Sequence, residues 1–204
     1  MDFGVAALAV LWLAMLVTGA GPLDRQLLQM LYAADRPAVR DAVIVVTQLG
    51  SWSVLLTLAP IGAAWLIYRR KVRGALLLLA ITLVGRLLID LQKLGIGRLR
   101  PQSEVHRVLV GDLSFPSGHA GNTMIVFMSL ALLVAPRRFR NLAVAAALVG
   151  TAAVGITRPM LGVHWPSDVV GGWAFGAAWV LLMLGLAEQL GSAHTAREHR
   201  GRQQ

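Results

Sequence analysis

Residues 74–92 read GALLLLAITLVGRLLIDLQ, and this apolar stretch decides the fold of the chain. A helix needs about 20 residues to cross the hydrocarbon core of a bilayer, because each residue advances it by about 1.5 Å. The 204-residue chain as a whole is 56% hydrophobic and only 14% charged, with a mean hydropathy of +0.65. This composition is too apolar for a soluble domain of the same length, so the sequence indicates an integral membrane protein.

Two charges, Arg86 and Asp90, interrupt this stretch four residues apart and therefore share one face of the helix. Charged side chains are costly in hydrocarbon, so we expect the two to face the bundle and to pair with each other. We interpret the pair as structural support for Lys93, which follows the stretch, in preference to direct contact with a substrate.

Further apolar runs extend the pattern along the chain. The predicted spans are six and lie near residues 3–20, 52–68, 74–92, 120–135, 142–157 and 168–190. The stretch 22–50 is mixed in polarity, and its first part is predicted as an amphipathic helix at the membrane interface. The sequence thus predicts an all-α fold, a polytopic six-transmembrane-helix bundle with an interfacial amphipathic helix between the first two spans.

The domain organisation is simple. We predict one membrane-embedded domain over residues 1–191, followed by a polar cytoplasmic tail, residues 192–204, that is disordered because it lacks apolar periodicity. The first run has neither a basic N-terminal segment nor a clear cleavage site, so it is interpreted as an anchor and not as a signal peptide. Gly172 and Gly176, four residues apart in the last span, favour close packing of helices.

The positions of lysine and arginine predict the orientation. Basic clusters follow the second, fourth and sixth spans, at residues 69–73, at residues 137–140 and in the tail. Short loops rich in these residues stay in the cytoplasm, so both termini are predicted to lie there, with the protein in the cell inner (cytoplasmic) membrane. The opposite face also carries positive residues, against this trend, and they require a local explanation. They are Lys93, Arg98, Arg100, Arg107 and Arg158.

Composition also excludes several classes of function. The net charge is +9, but the basic residues bracket apolar runs and form no single polar face, so nucleic acid is not a predicted partner. The chain has no cysteine, which excludes disulfides, thiolate metal sites and a cysteine nucleophile. Covalent catalysis would therefore depend on a histidine or a serine.

Two short clusters at the predicted outer face suit an anion. In KLGIGRLRP, residues 93–101, Lys93 and Arg100 supply an ammonium and a guanidinium fork, the groups that a phosphate dianion requires. Attraction of lipid headgroups also explains many such cations. In PSGH, residues 116–119, a serine precedes a helix whose first free amides form an anion site, although the same residues are common in ordinary loops.

A third cluster, TRPMLGVHWPSD at residues 157–168, contains a histidine and an aspartate four residues apart. The Asp168 carboxylate can reach one ring nitrogen of His164 and leave the other nitrogen as a nucleophile or base. A histidine at a helix start paired with a capping acid is the structural alternative. Trp165 is interpreted as an anchor at the membrane interface.

The three clusters fall on one face of the predicted topology, which favours a shared site. Two histidines and an aspartate could also ligate zinc or iron. The cations Lys93, Arg100 and Arg158 would repel a divalent ion and attract an oxyanion, so no metal and no cofactor are predicted.

Together these residues resemble the signature of the type 2 phosphatidic acid phosphatase superfamily, K-x6-RP, PSGH and SR-x5-H-x3-D. All three spacings match, and the one departure is Thr157, where the family usually has serine. The matching residues are Lys93, Arg100 and Pro101; Pro116, Ser117, Gly118 and His119; and Thr157, Arg158, His164 and Asp168.

The resemblance implies phosphoryl transfer through a phosphohistidine. His164 is the implied nucleophile, Asp168 orients it, and His119 is the implied general acid and base. The implied phosphate-binding groups are Lys93, Arg100, Ser117, Gly118 and Arg158. The expected partners are a membrane lipid phosphate and the bilayer itself, and no oligomeric state is predicted.

We therefore expect a metal-independent membrane lipid phosphatase with its site facing the periplasm or exterior. The motifs do not distinguish among undecaprenyl pyrophosphate, phosphatidylglycerophosphate and phosphatidate as substrates. A lipid phosphotransferase of the same fold and a non-catalytic transporter or binding protein for lipid phosphates are the alternatives. The His164 and Asp168 pair argues against the last, since binding alone does not require it.

Overall fold

The computed structural model describes residues 2–33, 35–102 and 111–201, and these ranges are helical apart from short connections. Their only β-pairing is an isolated bridge between Leu99 and Leu113. Arg107, predicted on the outer face, lies outside the described residues. The helices are α1 (Asp2–Thr18), α2 (Pro22–Leu31), α3 (Pro37–Gln48), α4 (Trp52–Tyr68), α5 (Val72–Ile96), α6 (Gly118–Leu133), α7 (Arg140–Met160) and α8 (Pro166–Gly201), with a 3-10 turn at Arg137–Phe139.

The helix boundaries follow the local chemistry of the sequence. Pro22, Pro37 and Pro166 occupy the first position of α2, α3 and α8, where a missing amide hydrogen costs nothing. Helix α5 ends at Gly97, which adopts the left-handed conformation with φ of 67° that favours glycine. These helix boundaries determine where the loops that carry the three motifs leave the bundle.

Within the residues that the structure describes, four helical segments are long and apolar enough to cross a membrane. Helices α1 and α2 meet at 93° and add a fifth candidate if the bent pair is one span. Helix α6 is apolar but has only 16 residues, fewer than a bilayer usually needs. The chain is thus an all-helical, multi-pass membrane protein, and its described residues contain four or five candidate spans where the sequence predicted six. The four segments are Pro37–Tyr68, Val72–Ile96, Arg137–Met160 and Pro166–Ser192.

The stretch 22–50 differs from its prediction because it contains two helices. Helix α3 joins α4 in a single candidate span of 32 residues, Pro37–Tyr68, of which the predicted span 52–68 is only the second part. A helix of this length extends about 48 Å, well beyond a hydrocarbon core of about 30 Å. The junction between α3 and α4 lies beside the start of α6, where Gly50 packs against Thr123 and His119.

Helix α6 lies at the centre of the bundle, in contact with α4, α5, α7 and α8, while α1 packs along α8. Glycines let α6 and α8 approach closely. A Cβ atom on Gly172 would come within 2.7 Å of the Ser117 carbonyl oxygen, and one on Gly176 within 2.8 Å of the Gly121 carbonyl oxygen. The expected close packing at Gly172 and Gly176 is confirmed.

Helix α8 continues beyond the predicted end of the domain. Its backbone is helical to Gly201, although the part that qualifies as a membrane span ends at Ser192. The division of the chain at residue 191 and the disorder of residues 192–204 stay predictions.

Candidate active site

The C-terminal ends of α5 and α7, the N-terminal ends of α6 and α8, and the α3–α4 junction surround one cavity of about 620 Å³. The structure brings all of the sequence-predicted site residues together here. Asp168 is bonded to His164, and Ser117 directly precedes Gly118. The predicted residues that line the cavity are Lys93, Arg100, Gly118, His119, Arg158 and His164.

His164 and Asp168 form a buried hydrogen-bonded pair at the start of α8. The Asp168 Oδ2 atom lies 3.2 Å from His164 Nδ1 and also accepts the Trp165 backbone amide at 2.9 Å. Both side chains are almost completely buried. Because the carboxylate accepts from Nδ1, the opposite nitrogen, Nε2, is the one whose lone pair faces the cavity.

Burial lowers the pKa of His164 well below its usual 6.5, and the cations Arg100 and Lys93 lower it further. The Arg100 Nη1 atom lies 2.8 Å from His164 Nε2. A guanidinium only donates hydrogen bonds, so Nε2 accepts one and carries no proton. Geometry and electrostatics thus agree on a neutral imidazole with its proton on Nδ1.

The cation cluster consists of Lys93, Arg100 and Arg158, which all line the cavity. The Lys93 ammonium donates to the carbonyl oxygens of Leu113 and Ser114, at 3.4 and 3.1 Å. Arg158 donates from Nη1 to the Thr47 hydroxyl at 2.8 Å. In the described part of the chain, the buried Arg158 Nε and the Ser117 hydroxyl have no hydrogen-bond partner. Such buried donors are costly unless a ligand satisfies them, which fits a site for an oxyanion.

Burial also lowers the pKa of Arg100, although Asp168 acts in the opposite direction. Its Nε and Nη1 atoms donate to the carbonyl oxygens of Gly111 and Val163. Arg100 therefore links the loop after α5 to the loop before α8.

His119 lies in the first turn of α6 and lines the same cavity as His164. The α3–α4 junction packs closely against this turn, and Gly50 permits the contact because it has no side chain. A Cβ atom there would come within 2.4 Å of Val154 Cγ1 and 3.1 Å of His119 Cδ2. Thr157, where the family usually has serine, donates its hydroxyl to the Val154 carbonyl oxygen of its own helix.

Arg98 is a residue of the site that the motifs did not predict. Its Nη1 atom donates to Asp168 Oδ1 at 2.9 Å, so the carboxylate is held from both oxygens. Its Nη2 atom donates to the carbonyl oxygens of Met15 and Leu16, at 3.0 and 2.6 Å. The only sequence signal was its membership of the positive residues on the predicted outer face. Arg98 ties the end of α1 to the carboxylate that holds His164.

Asp24 was also missed, because its polar stretch was interpreted as an interfacial helix. It is buried, and its Oδ1 atom accepts the Ser167 amide at 2.9 Å. Its Oδ2 atom accepts the Ser167 hydroxyl and the Ala20 amide. Asp24 thus caps the N-terminal end of α8 from a distant helix, as an acidic side chain does favourably.

With the geometry established, comparison with known proteins identifies the family. The sequence profile of the PAP2 superfamily matches residues 73–191, a range that contains every predicted site residue. The chain belongs to the PAP2 superfamily. The resemblance to type 2 phosphatidic acid phosphatases is thereby confirmed.

Relatives of this PAP2 chain are membrane lipid phosphatases. Phosphatidylglycerophosphatase B of Bacillus subtilis (strain 168) is 32% identical over 162 residues, which cover 76% of this chain and 78% of that protein. A lipid A 1-phosphatase of Rhizobium johnstonii is 38% identical over 119 residues, 53% of this chain and 46% of the relative. An undecaprenyl-diphosphatase of Sulfolobus acidocaldarius is 30% identical over 126 residues, 59% of this chain and 58% of the relative.

A solved structure supports the same assignment. The crystal structure of a transmembrane PAP2 type phosphatidylglycerolphosphate phosphatase from Bacillus subtilis matches with a TM-score of 0.83 and 29% sequence identity. The match covers 92% of this chain and 97% of that one. The fold is therefore that of the membrane PAP2 phosphatases.

The low pKa of His164 predicts a pH dependence of stability. As the pH falls below 6.5, the unfolded chain protonates His164 before the folded chain does, so this contribution to stability is full above 6.5 and decreases below it. Relative to His164→Gln, the free energy of unfolding of the wild type should decrease by up to about 1.4 kcal/mol for each pH unit below 6.5. Thermal unfolding in detergent at several pH values measures the difference. Parallel curves for the two proteins would contradict a neutral buried His164.

Arg98→Met should lower kcat about tenfold or more with a smaller change in KM, because Asp168 loses a charged donor and no longer holds His164 firmly. Arg98→Lys should recover part of the activity. Arg25→Met serves as the control, since the side-chain contact of Arg25 among the described residues is an exposed 3.4 Å one from Nε to the Ala20 carbonyl oxygen. A kcat equal to that of the wild type, in a variant of unchanged thermal stability, would remove Arg98 from the positioning of Asp168.

Proposed function

We propose that this chain is a metal-independent lipid phosphatase that hydrolyses phosphomonoester or pyrophosphate groups through a phosphohistidine intermediate. One observation carries the proposal. The unprotonated Nε2 atom of His164, held by Asp168, lies beside Arg100 in a cavity lined by further cations. That arrangement combines a nucleophile with the groups that bind the anion it attacks.

In the first step, a phosphate oxygen accepts a hydrogen bond from the Arg100 guanidinium. The lone pair of His164 Nε2 is then free of that guanidinium. Nε2 attacks phosphorus in line, and the bond between phosphorus and the lipid oxygen breaks. His119 donates a proton to the departing oxygen. The surrounding cations disfavour a protonated His119, and the negative charge of the phosphate offsets them. Asp168 stabilises the positive charge that develops on the His164 ring.

In the second step, His119 takes a proton from a water molecule, and the oxygen of that water attacks phosphorus. The bond between phosphorus and Nε2 breaks, inorganic phosphate leaves, and His164 regains its lone pair. Both histidines return to their starting protonation states, so the cycle needs no further reactant.

The equatorial oxygens of the transferring group require fixed donors. We propose that Lys93, Arg100 and Arg158 supply the charge, with the Ser117 hydroxyl and the Gly118 amide completing the set. The unpartnered Arg158 Nε and Ser117 hydroxyl, both buried among described residues, support this assignment. Removal of one such donor should slow the chemical step by about 3 kcal/mol in the barrier.

For the membrane arrangement, we propose six crossings formed by α1, the joined α3 and α4, α5, α6, α7 and α8. The 93° bend between α1 and α2, and the contact of Asp24 with the start of α8, support an interfacial position for α2 at the level of the site. The basic loops at residues 69–73 and 137–140 support a cytoplasmic location of that end and of both termini. The site would then face the periplasm or exterior of a bacterial inner membrane.

The substrate class follows from this setting and from the relatives. The lipid tail stays in the bilayer while its phosphate enters the cation cluster. Phosphatidylglycerophosphate, phosphatidate, lipid A phosphate and undecaprenyl pyrophosphate all meet this requirement, and three of these classes appear in the names of relatives. Transfer to an acceptor other than water is the second candidate function.

The central test is phosphate release by the detergent-solubilised chain from this lipid panel, with EDTA present. His164→Ala should reduce release by on the order of 10³-fold or more, because the nucleophile is absent. The Arg25→Met protein serves as a folded control. Survival of activity in His164→Ala would exclude the phosphohistidine, and loss of wild-type activity in EDTA would exclude a metal-independent reaction. Loss of phosphate from the lipid that requires an added alcohol, and that yields the phosphorylated alcohol with no free phosphate, would favour the transferase.

His119→Ala tests the general acid. Its activity should fall about 10²-fold or more on a lipid phosphate, whose alkoxide leaves poorly, and much less on an aryl phosphate whose leaving group needs no proton. Comparison of kcat for the two substrates in wild type and variant measures this difference. Equal losses on both substrates would count against proton donation by His119.

A further inference from the structure

The cavity extends along α5 beyond the residues assigned to phosphate. Lys93, Asp90 and Arg86 are spaced by three and four residues, share one face of α5 and all line the cavity. Asp90 lies about 4.5 Å and Arg86 about 10.5 Å along the helix from Lys93, towards the middle of the bundle. The cavity therefore has a deep end one to two helical turns from its phosphate-binding end.

The expected pairing of Arg86 and Asp90 is confirmed. Arg86 Nε donates to Asp90 Oδ2 at 2.7 Å, and the guanidinium lies 5.0 Å from the centre of the Trp52 ring. The two side chains are 35% and 42% exposed, so the pair is not sealed within the bundle. Both of them border the cavity, where a ligand can reach them.

The interpretation of this pair as support for Lys93 stays a prediction: the Asp90 carboxylate attracts the Lys93 ammonium through its charge, without a hydrogen bond among the described residues. Within the described residues, the hydrogen bonds of the Lys93 ammonium go to the carbonyl oxygens of Leu113 and Ser114. Charged groups within a membrane segment are expensive and commonly serve function. An ion pair that is open to a substrate cavity and makes no hydrogen bond to the neighbouring lysine is free to contact the substrate as well.

The two ends of the cavity differ in charge. The phosphate-binding end carries Lys93, Arg100 and Arg158, a strong excess of positive charge. At the deep end the charges of Arg86 and Asp90 cancel. A net-neutral polar surface suits an uncharged hydrogen-bonding group and not a second phosphate, which would meet the Asp90 carboxylate.

We propose that Arg86 and Asp90 form a specificity subsite for the ester linkage of a diacylglycerol phosphate. The inference rests on the proposed phosphatase function and names its preferred substrate class. Ester carbonyl oxygens lie a few bonds from the phosphorus of such a lipid, at the depth of one to two helical turns, and they accept hydrogen bonds from Arg86. A polyprenyl chain presents only hydrocarbon at this depth and would bury the pair without a hydrogen bond.

The test compares two lipids that differ only at the linkage. Dioleoyl phosphatidate has two ester carbonyls, and its dioleyl ether analogue has none. Wild-type kcat/KM should favour the diester about tenfold, because a site that donates to a carbonyl rejects the analogue that lacks it. Replacing both charges together, Arg86→Met with Asp90→Leu, leaves no unpaired charge and should abolish the preference.

Two further variants complete the design. Arg40→Met with Asp41→Leu removes an ion pair outside the cavity, 2.9 Å between Nε and Oδ1, and should keep the tenfold preference. Arg86→Lys keeps the charge pair, so it provides a test of the subsite even if the double variant does not fold. It should retain a reduced preference, because the ammonium can still donate one hydrogen bond.

The outcomes separate the inference from the proposed function. Equal kcat/KM for diester and ether in the wild type, or equal losses on both lipids in the double variant, would overturn the subsite. A preferential loss on a polyprenyl pyrophosphate would overturn it as well, since the pair would then contact a second phosphate. If the wild type releases phosphate from no lipid and no aryl phosphate, the proposed function fails and the subsite fails with it.

Discussion

The arrangement of the site depends on one buried carboxylate, that of Asp168 in the first turn of α8. Burial of an ion is tolerated only when its charge is paired and its oxygens accept hydrogen bonds. Here Oδ2 accepts from His164 and from the Trp165 amide, and Oδ1 accepts from Arg98. The Asp168 backbone oxygen in turn accepts the Ser117 amide at the start of α6. Helices that are far apart in sequence thus meet at a single residue.

The same carboxylate determines the tautomer of the histidine that the cations surround. Positive neighbours and burial both favour the neutral imidazole, and Asp168 determines which nitrogen holds the remaining proton. Arg100 then occupies the free lone pair until an anion competes for its guanidinium. In the proposed mechanism, binding of the phosphate and exposure of the nucleophile are therefore one event.

Local sequence spacing predicted the part of the site that is local in structure. His164 and Asp168 are four residues apart, and the spacing alone places the carboxylate near a ring nitrogen. Arg98 and Asp24 escaped prediction because their partners on α8 lie 70 and 143 residues away, where spacing carries no information. The ion pair of Arg86 and Asp90 was predictable from the cost of charge in a membrane, but its exposure to the cavity depends on how distant parts of the chain pack around it. Apolar runs predicted an all-helical membrane fold, although they could not reveal that α3 continues into α4 or that α6 is short.

The contact of Arg98 with α1 has a consequence for how the protein is made. Arg98 holds the carbonyl oxygens of Met15 and Leu16 with one nitrogen and Asp168 with the other. Its partners belong to the first and the last helix of the chain, so this link closes only when synthesis has delivered α8 to the bundle. An incomplete chain in the membrane has the cations but lacks the carboxylate that orients the histidine. Under the proposed mechanism, the nucleophile is therefore not oriented until α8 has joined the bundle.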